Sequence, residues 1–189
     1  MKNAIIIHGR PTKEIYYDAS KTSSSNFAWI PWLQKQLIIK DIKADTPEMF
    51  LAYEPQYEIW KEEFERYEVN EETILVGHSA GGGFLLRWLS ENKKIFVNKL
   101  VLVAPSVDPF EKTGLEFHKF AIDKDLSNRV RKMILIMSDK DSDGIMETAN
   151  ILKKTFPDIV YKEFPGYGHF IPQDMGKSEF PELLEEILR

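Results

Sequence analysis

The chain has 189 residues, of which 43% are hydrophobic and 29% charged, a composition typical of one ordinary globular domain. Its net charge of −5 argues against nucleic acid as a partner, and the lack of cysteine excludes disulfides, thiolate metal sites and a cysteine nucleophile. No signal segment is visible and no apolar run is long enough to span a bilayer, so we expect a cytoplasmic protein without membrane insertion.

Short apolar runs alternate with amphipathic runs along the chain. The apolar runs predict buried strands over 4–7, 42–44, 74–76, 99–104, 133–137 and 160–164. The amphipathic runs predict helices over 27–39, 55–67, 84–92, 145–155 and 179–188, the last with Leu183, Leu184, Ile187 and Leu188 facing inward. Polar residues 12–26 predict a surface loop. This alternation predicts an α/β fold, a mostly parallel sheet with helices on both faces, in a single domain of residues 1–189.

The stretch TILVGHSAGGGFLL, residues 73–86, joins a predicted strand to a predicted helix through a G-x-S-x-G motif centred on Ser79. In that context the motif is a nucleophile elbow, in which glycines at 77 and 81 permit a sharp turn and the serine hydroxyl projects above the sheet. The alternative is a glycine-rich turn that only allows close packing. A P-loop is excluded because no Lys-Ser or Lys-Thr follows the glycines.

Residues 105–131 interrupt the alternation and contain Asp108, Gly114, His118 and several charged side chains. Such a segment is either a plain long loop or a lid, since insertions after strands at one sheet edge often cover a site. We predict a small cap over the active site.

A nucleophilic serine needs a base, an acid that orients the base, and N–H donors for the oxyanion. His169 is the best candidate base, because it follows the last predicted strand in a glycine-flanked loop where catalytic groups of parallel sheets gather. A surface histidine is the alternative reading. His8, His78 and His118 are weaker candidates.

The acid is predicted to lie in the cluster of carboxylates after the strand 133–137. Asp141 is the first choice, with Asp139 and Asp143 as alternatives and Asp108 as a more distant one. The cluster could instead be a solvated acidic turn or a calcium loop. Glu147, however, falls short of the position where an EF-hand loop needs its bidentate glutamate.

The resulting order of Ser79, Asp141 and His169 along the chain is that of the α/β-hydrolases. The backbone N–H of Ala80 would supply one oxyanion donor, and the loop after the first strand, at Arg10, would supply the second. This chemistry requires neither a metal nor an organic cofactor.

These features together resemble the small α/β-hydrolases of the YdeN-like and retinoblastoma-binding-protein-9-like group, predicted serine hydrolases. The resemblance covers nearly the whole chain and rests on His8-Gly9, the run NFAWIPWL at 26–33, the motif at 77–81, and Gly-His-Phe at 168–170. It implies an α/β-hydrolase fold with Ser79 as nucleophile, His169 as base and Asp141 as acid. The family often has Asp-Pro and an apolar-Pro pair at the acid loop, where this chain has SDGIM at 142–146, so Asp139 and Asp143 stay open as acids.

The sequence therefore predicts a serine hydrolase that cleaves carboxylic esters, thioesters or amides of a small-molecule acyl substrate through an acyl-enzyme. The alternative is a non-catalytic protein- or ligand-binding module on a hydrolase scaffold. Cleavage of a halide or epoxide is disfavoured, because such enzymes normally have aspartate at the position of Ser79. The substrate and the oligomeric state cannot be read from the sequence. Aromatic residues that could line an acyl pocket, or equally belong to the core, are Trp29, Trp32, Phe110, Phe117 and Phe120.

Overall fold

The computed structural model describes residues 2–189 and contains a six-stranded, all-parallel sheet with strand order β2-β1-β3-β4-β5-β6. The strands are β1 Asn3–Ile7, β2 Lys43–Asp45, β3 Ile74–His78, β4 Val97–Val103, β5 Val130–Met137 and β6 Val160–Glu163. The helices are α1 Lys13–Tyr17, α2 Ile30–Ile38, α3 Tyr57–Phe64, α4 Ala80–Glu91, α5 Asp143–Thr155, α6 Pro172–Met175 and α7 Pro181–Leu188. Short 3₁₀ turns lie at Ser24–Asn26, Glu116–His118 and Lys124–Arg129.

The three strands at the centre of the sheet, β1, β3 and β4, are buried along their whole length. Strands covered on both faces need apolar side chains on both sides, which explains why the sequence shows continuous rather than alternating apolar runs there. The edge strand β6 is only partly buried and carries polar residues accordingly.

The strand order reverses at β1, because the chain moves from β1 to β2 on one side and then to β3 on the other. With right-handed crossovers, α2 lies on one face of the sheet and the helices α3, α4 and α5 on the other. Contacts between α2 and α7, and between α3 and α4, agree with these two layers. A reversal of this kind opens a crevice at the carboxyl ends of β1 and β3, the usual place for a ligand in such folds.

The predicted α/β fold is confirmed, and the sheet is parallel throughout. The predicted surface loop at 12–26 was wrong in part, because Thr12 caps the short helix α1 by accepting the Ile15 N–H through its hydroxyl. The helices α1 and α6 bury no side chain, so they leave no apolar pattern to find. In α7, Leu183 and Ile187 are buried and Leu184 is half-buried. Leu188 is 41% exposed, so its predicted inward orientation was wrong.

None of the helices in residues 2–189 has the length and apolar character needed to cross a membrane.

The turn between β3 and α4 is packed so closely that its glycines accept no side chain. A Cβ at Gly81 would lie 2.4 Å from the Ile7 carbonyl oxygen and 2.6 Å from that of His8, and one at Gly77 would lie 2.6 Å from the Gly82 Cα. These neighbours are backbone atoms of the central sheet and of α4, so they cannot move aside without disturbing several strands.

Gly81→Ala is therefore expected to lower the free energy of unfolding by about 3 kcal/mol, measured by urea denaturation. The matched control is Gly144→Ala in α5, where a Cβ would meet nothing within 4 Å. That variant should be as stable as the wild type or up to about 1 kcal/mol more stable. Equal stabilities of the two variants would contradict the close packing of the turn.

Candidate active site

Ser79 lies between β3 and α4 with φ 53° and ψ −118°, a backbone conformation that non-glycine residues rarely adopt. Its N–H donates to the Val103 carbonyl at 3.0 Å, and its own carbonyl accepts N–H groups from Gly82, Gly83 and Ser106 at 3.0–3.2 Å. These hydrogen bonds hold the strained turn in place. The Ser79 side chain consequently projects from the carboxyl end of the sheet and stays partly accessible.

Two backbone segments lie beside Ser79, the start of α4 and the loop after β1. Ala80 is the first residue of α4, and the first N–H groups of a helix have no acceptor within it. On the other side, a Cβ built on Gly9 would lie 3.0 Å from the Ser79 Cβ, so the loop after β1 passes directly beside the serine. Arg10 follows in that loop, and its side chain is exposed.

The imidazole of His169 lies between the Ser79 hydroxyl and the Asp141 carboxylate. Its Nε2 is 2.9 Å from the Ser79 Oγ, and its Nδ1 is 2.8 Å from the Asp141 Oδ2. A carboxylate can only accept, so Nδ1–H donates to Asp141 and Nε2 accepts the serine O–H. The Asp141 side chain is 4% exposed and that of His169 is 32% exposed, so the acid is shielded while the imidazole remains reachable.

The other candidate acids have different partners. Asp139 accepts the Gly166 N–H at 2.6 Å, a bond that lowers the pKa of Asp139 below its ordinary value. Asp143 is exposed at the start of α5, and Asp108 accepts from the backbone N–H groups of Lys112 and Thr113. Of the four carboxylates, only Asp141 is within hydrogen-bonding distance of His169.

Three side chains hold the His169 loop: Asp174, which was not named from the sequence, and His78 and Trp29, which were named only for other roles. The His169 N–H donates to Asp174 at 2.8 Å, the His169 carbonyl accepts from His78 Nε2 at 2.8 Å, and the Phe170 carbonyl accepts from Trp29 Nε1 at 3.2 Å. The one sequence signal was the glycine before His169. Gly168 has φ 51°, and a Cβ there would lie 2.5 Å from the Asp174 carboxylate.

The remaining histidines make no hydrogen bond to Ser79 or Asp141. Burial lowers the pKa of His78 to about 3 and also lowers the pKa values of His8 and His118, so all three are neutral at pH 7. The His8 ring donates from Nδ1 to the Gly9 carbonyl and accepts the Met49 N–H at Nε2, which ties two loops of the crevice together. His118 Nδ1 is buried and has no hydrogen-bond partner within residues 2–189.

The segment 105–131, predicted as a cap, contains only 3₁₀ turns up to residue 129, and Val130 and Arg131 belong to β5. The segment between β4 and β5 therefore ends at residue 129 and not, as predicted, at residue 131. Arg87 anchors the segment to α4 by donating to the carbonyls of Glu116 and Phe117 at 2.7 Å and 3.1 Å.

The candidate pocket aromatics divide between the core and the surface. Trp29 and Phe117 are buried in the core, Trp32 is half-buried and Phe110 is 50% exposed. Phe120 helps to line a cavity of about 510 Å³ within the segment 105–131. His118, which also lines the cavity, lies near the first turn of α4, because its Nδ1 is 3.9 Å from a Cβ built on Gly83.

The calcium alternative for 139–144 finds no support in the geometry. Asp139 and Asp141 bind protein groups, and α5 begins at Asp143, where an EF-hand loop would continue. Across residues 2–189, no group of three or more His, Asp or Glu side chains is arranged to hold a metal ion.

The chain shares sequence with one protein family and with a relative named as a putative hydrolase. The profile of the family described as serine hydrolase matches residues 20–188. YdeN from Bacillus subtilis (strain 168) is 35% identical over 80 residues, which are 41% of this chain and 42% of YdeN. The match thus spans about two fifths of that relative's length.

Solved structures share the fold. The ydeN gene product from B. subtilis superposes with a TM-score of 0.81 at 24% identity and covers 100% of this chain and 97% of its own. Est1E from Butyrivibrio proteoclasticus gives 0.65 at 15% identity, covering 99% and 86%, and the methylesterase MES16 from Arabidopsis gives 0.65 at 14%, covering 100% and 98%. These likenesses identify the architecture as α/β-hydrolase-like. Since the family profile extends over most of the sequence, the chain belongs to the serine hydrolase family, as the resemblance of its motifs had predicted.

Proposed function

We propose that this protein, as one domain, hydrolyses carboxylic esters, thioesters or amides through an acyl-enzyme on Ser79. The observation that carries the proposal is the unbroken hydrogen-bond chain from Ser79 Oγ through His169 to Asp141, at 2.9 Å and 2.8 Å. A base within hydrogen-bonding reach of the nucleophile, itself oriented by a carboxylate, is the geometry that serine acyl transfer requires.

In the first half of the reaction, His169 Nε2 takes the Ser79 proton while Oγ attacks the acyl carbon. The imidazolium that forms is stabilised by Asp141 and returns the proton to the leaving alcohol, thiol or amine. In the second half, His169 deprotonates a water molecule that attacks the acyl-enzyme, and the carboxylic acid leaves as Ser79 regains its proton. The small-molecule acyl substrate and this water molecule supply the other reacting atoms.

The oxyanion of each tetrahedral intermediate would be bound by the backbone N–H groups of Ala80 and Arg10. The position of Ala80 at the start of α4 and the contact of the Gly9 loop with Ser79 support this assignment. Each such donor typically lowers the transition-state free energy by about 3 kcal/mol. The segment 105–129 is proposed to cap the same crevice, since Ser106 bonds to the Ser79 carbonyl.

The proposal is tested by incubating the purified chain with a fluorophosphonate probe and mapping the adduct by mass spectrometry. We expect a single adduct on Ser79, no adduct in Ser79→Ala, and loss of p-nitrophenyl acetate hydrolysis in the same variant. Labelling that persists in Ser79→Ala would refute the assignment. Absence of both labelling and hydrolysis in the wild type would favour a binding module instead.

A further inference from the structure

His78 is the residue immediately before Ser79, and its ring is buried beneath the crevice. Its Nε2 lies 2.8 Å from the carbonyl oxygen of His169, and the two imidazole rings are 5.1 Å apart. Since a carbonyl oxygen can only accept, Nε2 carries the proton and donates. His78, the residue before the proposed nucleophile, thus holds the backbone of His169.

The other edge of the His78 ring faces the loop after β1. A Cβ built on Gly9 would lie 3.3 Å from His78 Nδ1 and 3.0 Å from the Ser79 Cβ. The ring also meets Trp29 edge to face at 5.8 Å, and the Trp29 indole N–H donates to the Phe170 carbonyl. His78 is therefore packed between the loop of Arg10 and the loop of His169.

From this arrangement we propose that His78 is a positioning residue, whose Nε2–H bond to the His169 carbonyl sets the imidazole of His169 at hydrogen-bonding distance from Ser79. The proposal rests on the function proposed above. The loop of His169 leaves the edge strand β6, so the sheet alone fixes it weakly relative to β3. The His78 bond connects these two parts of the site directly, because the side chain of His78 and the backbone of Ser79 move together.

The imidazole of His78 must be uncharged to fill this role. A charged imidazolium beside His169 would oppose the positive charge that His169 acquires during the reaction. Burial lowers the pKa of His78 to about 3, so the ring remains a neutral donor at neutral pH. A positive charge on His169 lowers the pKa of His78 further, whereas the bond to the His169 carbonyl raises it, and burial is the largest of these effects. Burial also keeps His8 neutral.

Two substitutions separate hydrogen bonding from packing. His78→Gln keeps an N–H donor at nearly the distance of Nε2 but removes the ring, whereas His78→Phe keeps an aromatic ring and removes the donor. For the Phe variant we expect kcat for p-nitrophenyl acetate to fall on the order of 10- to 100-fold, because a displacement of about 1 Å has that effect, while KM changes by less than about threefold. For the Gln variant, kcat should stay within about threefold of the wild type.

The pH profile of kcat/KM provides a second readout, since its acidic limb reports the base of the free enzyme. That limb should shift in His78→Phe and coincide with the wild type in His78→Gln. If the ring acts only by packing, the pattern reverses, with Phe active and Gln impaired, and the proposal is wrong. Should the Phe variant not fold, a folded but impaired Gln variant still overturns the proposal, and an active one supports it.

A measurement on the wild type completes the test. Nitrogen NMR of histidine-labelled protein should show His78 protonated at Nε2, bare at Nδ1, and without titration between pH 5 and 9. A His78 resonance that titrates in that range would overturn the proposal. Failure of the wild type to react at Ser79 would instead contradict the proposed function, so the two failures are distinguishable.

Discussion

Replacing His169 with glutamine is expected to lower kcat on the order of 10⁵- to 10⁶-fold, the loss typical of removing the base from a serine triad. Glutamine can occupy the space between Ser79 and Asp141 and form hydrogen bonds, but it cannot accept and return a proton at neutral pH. The Ser79 hydroxyl then stays a weak nucleophile. Hydrolysis of p-nitrophenyl acetate and the rate of fluorophosphonate labelling should decrease together.

Two comparisons make this result specific. The double variant Ser79→Ala with His169→Gln should be no slower than either single variant, because groups that act as one unit are not additive. His118→Gln is the matched control, since His118 is half-buried near the first turn of α4 but makes no hydrogen bond to Ser79. Its kcat should stay within about tenfold of the wild type. A larger loss of kcat for His118→Gln than for His169→Gln would show that His169 is not the base.

Asp141→Asn is expected to lower kcat about 10⁴-fold with little change in stability. Asparagine is nearly isosteric with aspartate, but its amide group can donate to Nδ1, which favours the imidazole tautomer with the proton on Nε2. That tautomer cannot accept the Ser79 proton. The carboxylate also stabilises the imidazolium in the transition state, and the shielding of the Asp141 side chain from water strengthens this effect.

The same substitution at the neighbouring carboxylates shows which one acts. Asp139→Asn can still accept the Gly166 N–H, and Asp143→Asn alters an exposed side chain at the start of α5. Both variants should keep kcat within about tenfold of the wild type. If Asp139→Asn or Asp143→Asn were the most impaired of the three, the acid of the proposed triad would have to be reassigned.

Much of the fold could be predicted because its signals are local. The run Ile74 to Val76 is apolar at every position, as a strand covered on both faces must be, and the glycines that follow mark a turn without room for a Cβ. The helices α1 and α6 were missed for the opposite reason. They lie on the surface and bury no side chain, so no apolar period marks them in the sequence.

The residues of the candidate site also fall into those that a local sequence pattern marks and those that no such pattern marks. Ser79 and His169 stood out because each lies in a glycine-flanked segment directly after a predicted strand. The choice among Asp139, Asp141 and Asp143 was open, because the three are close in sequence and differ only in the direction of their side chains. The contacts of Asp174 and His78 with the His169 loop gave no local signal, since the partners in that loop are backbone atoms.

The sequence by itself determined the alternation of strands and helices, the turn around Ser79 and the family to which the chain belongs, because each depends on short patterns that folding leaves in place. The tertiary structure alone decided which carboxylate meets the imidazole and what holds that imidazole in position. Ser79 and Asp141 are separated from His169 by 90 and 28 residues, and such distances are bridged only when parallel strands of one sheet bring their carboxyl ends to the same edge. The packed sheet and its loops orient these three side chains closely enough for hydrogen bonding, and no local sequence pattern encodes that orientation.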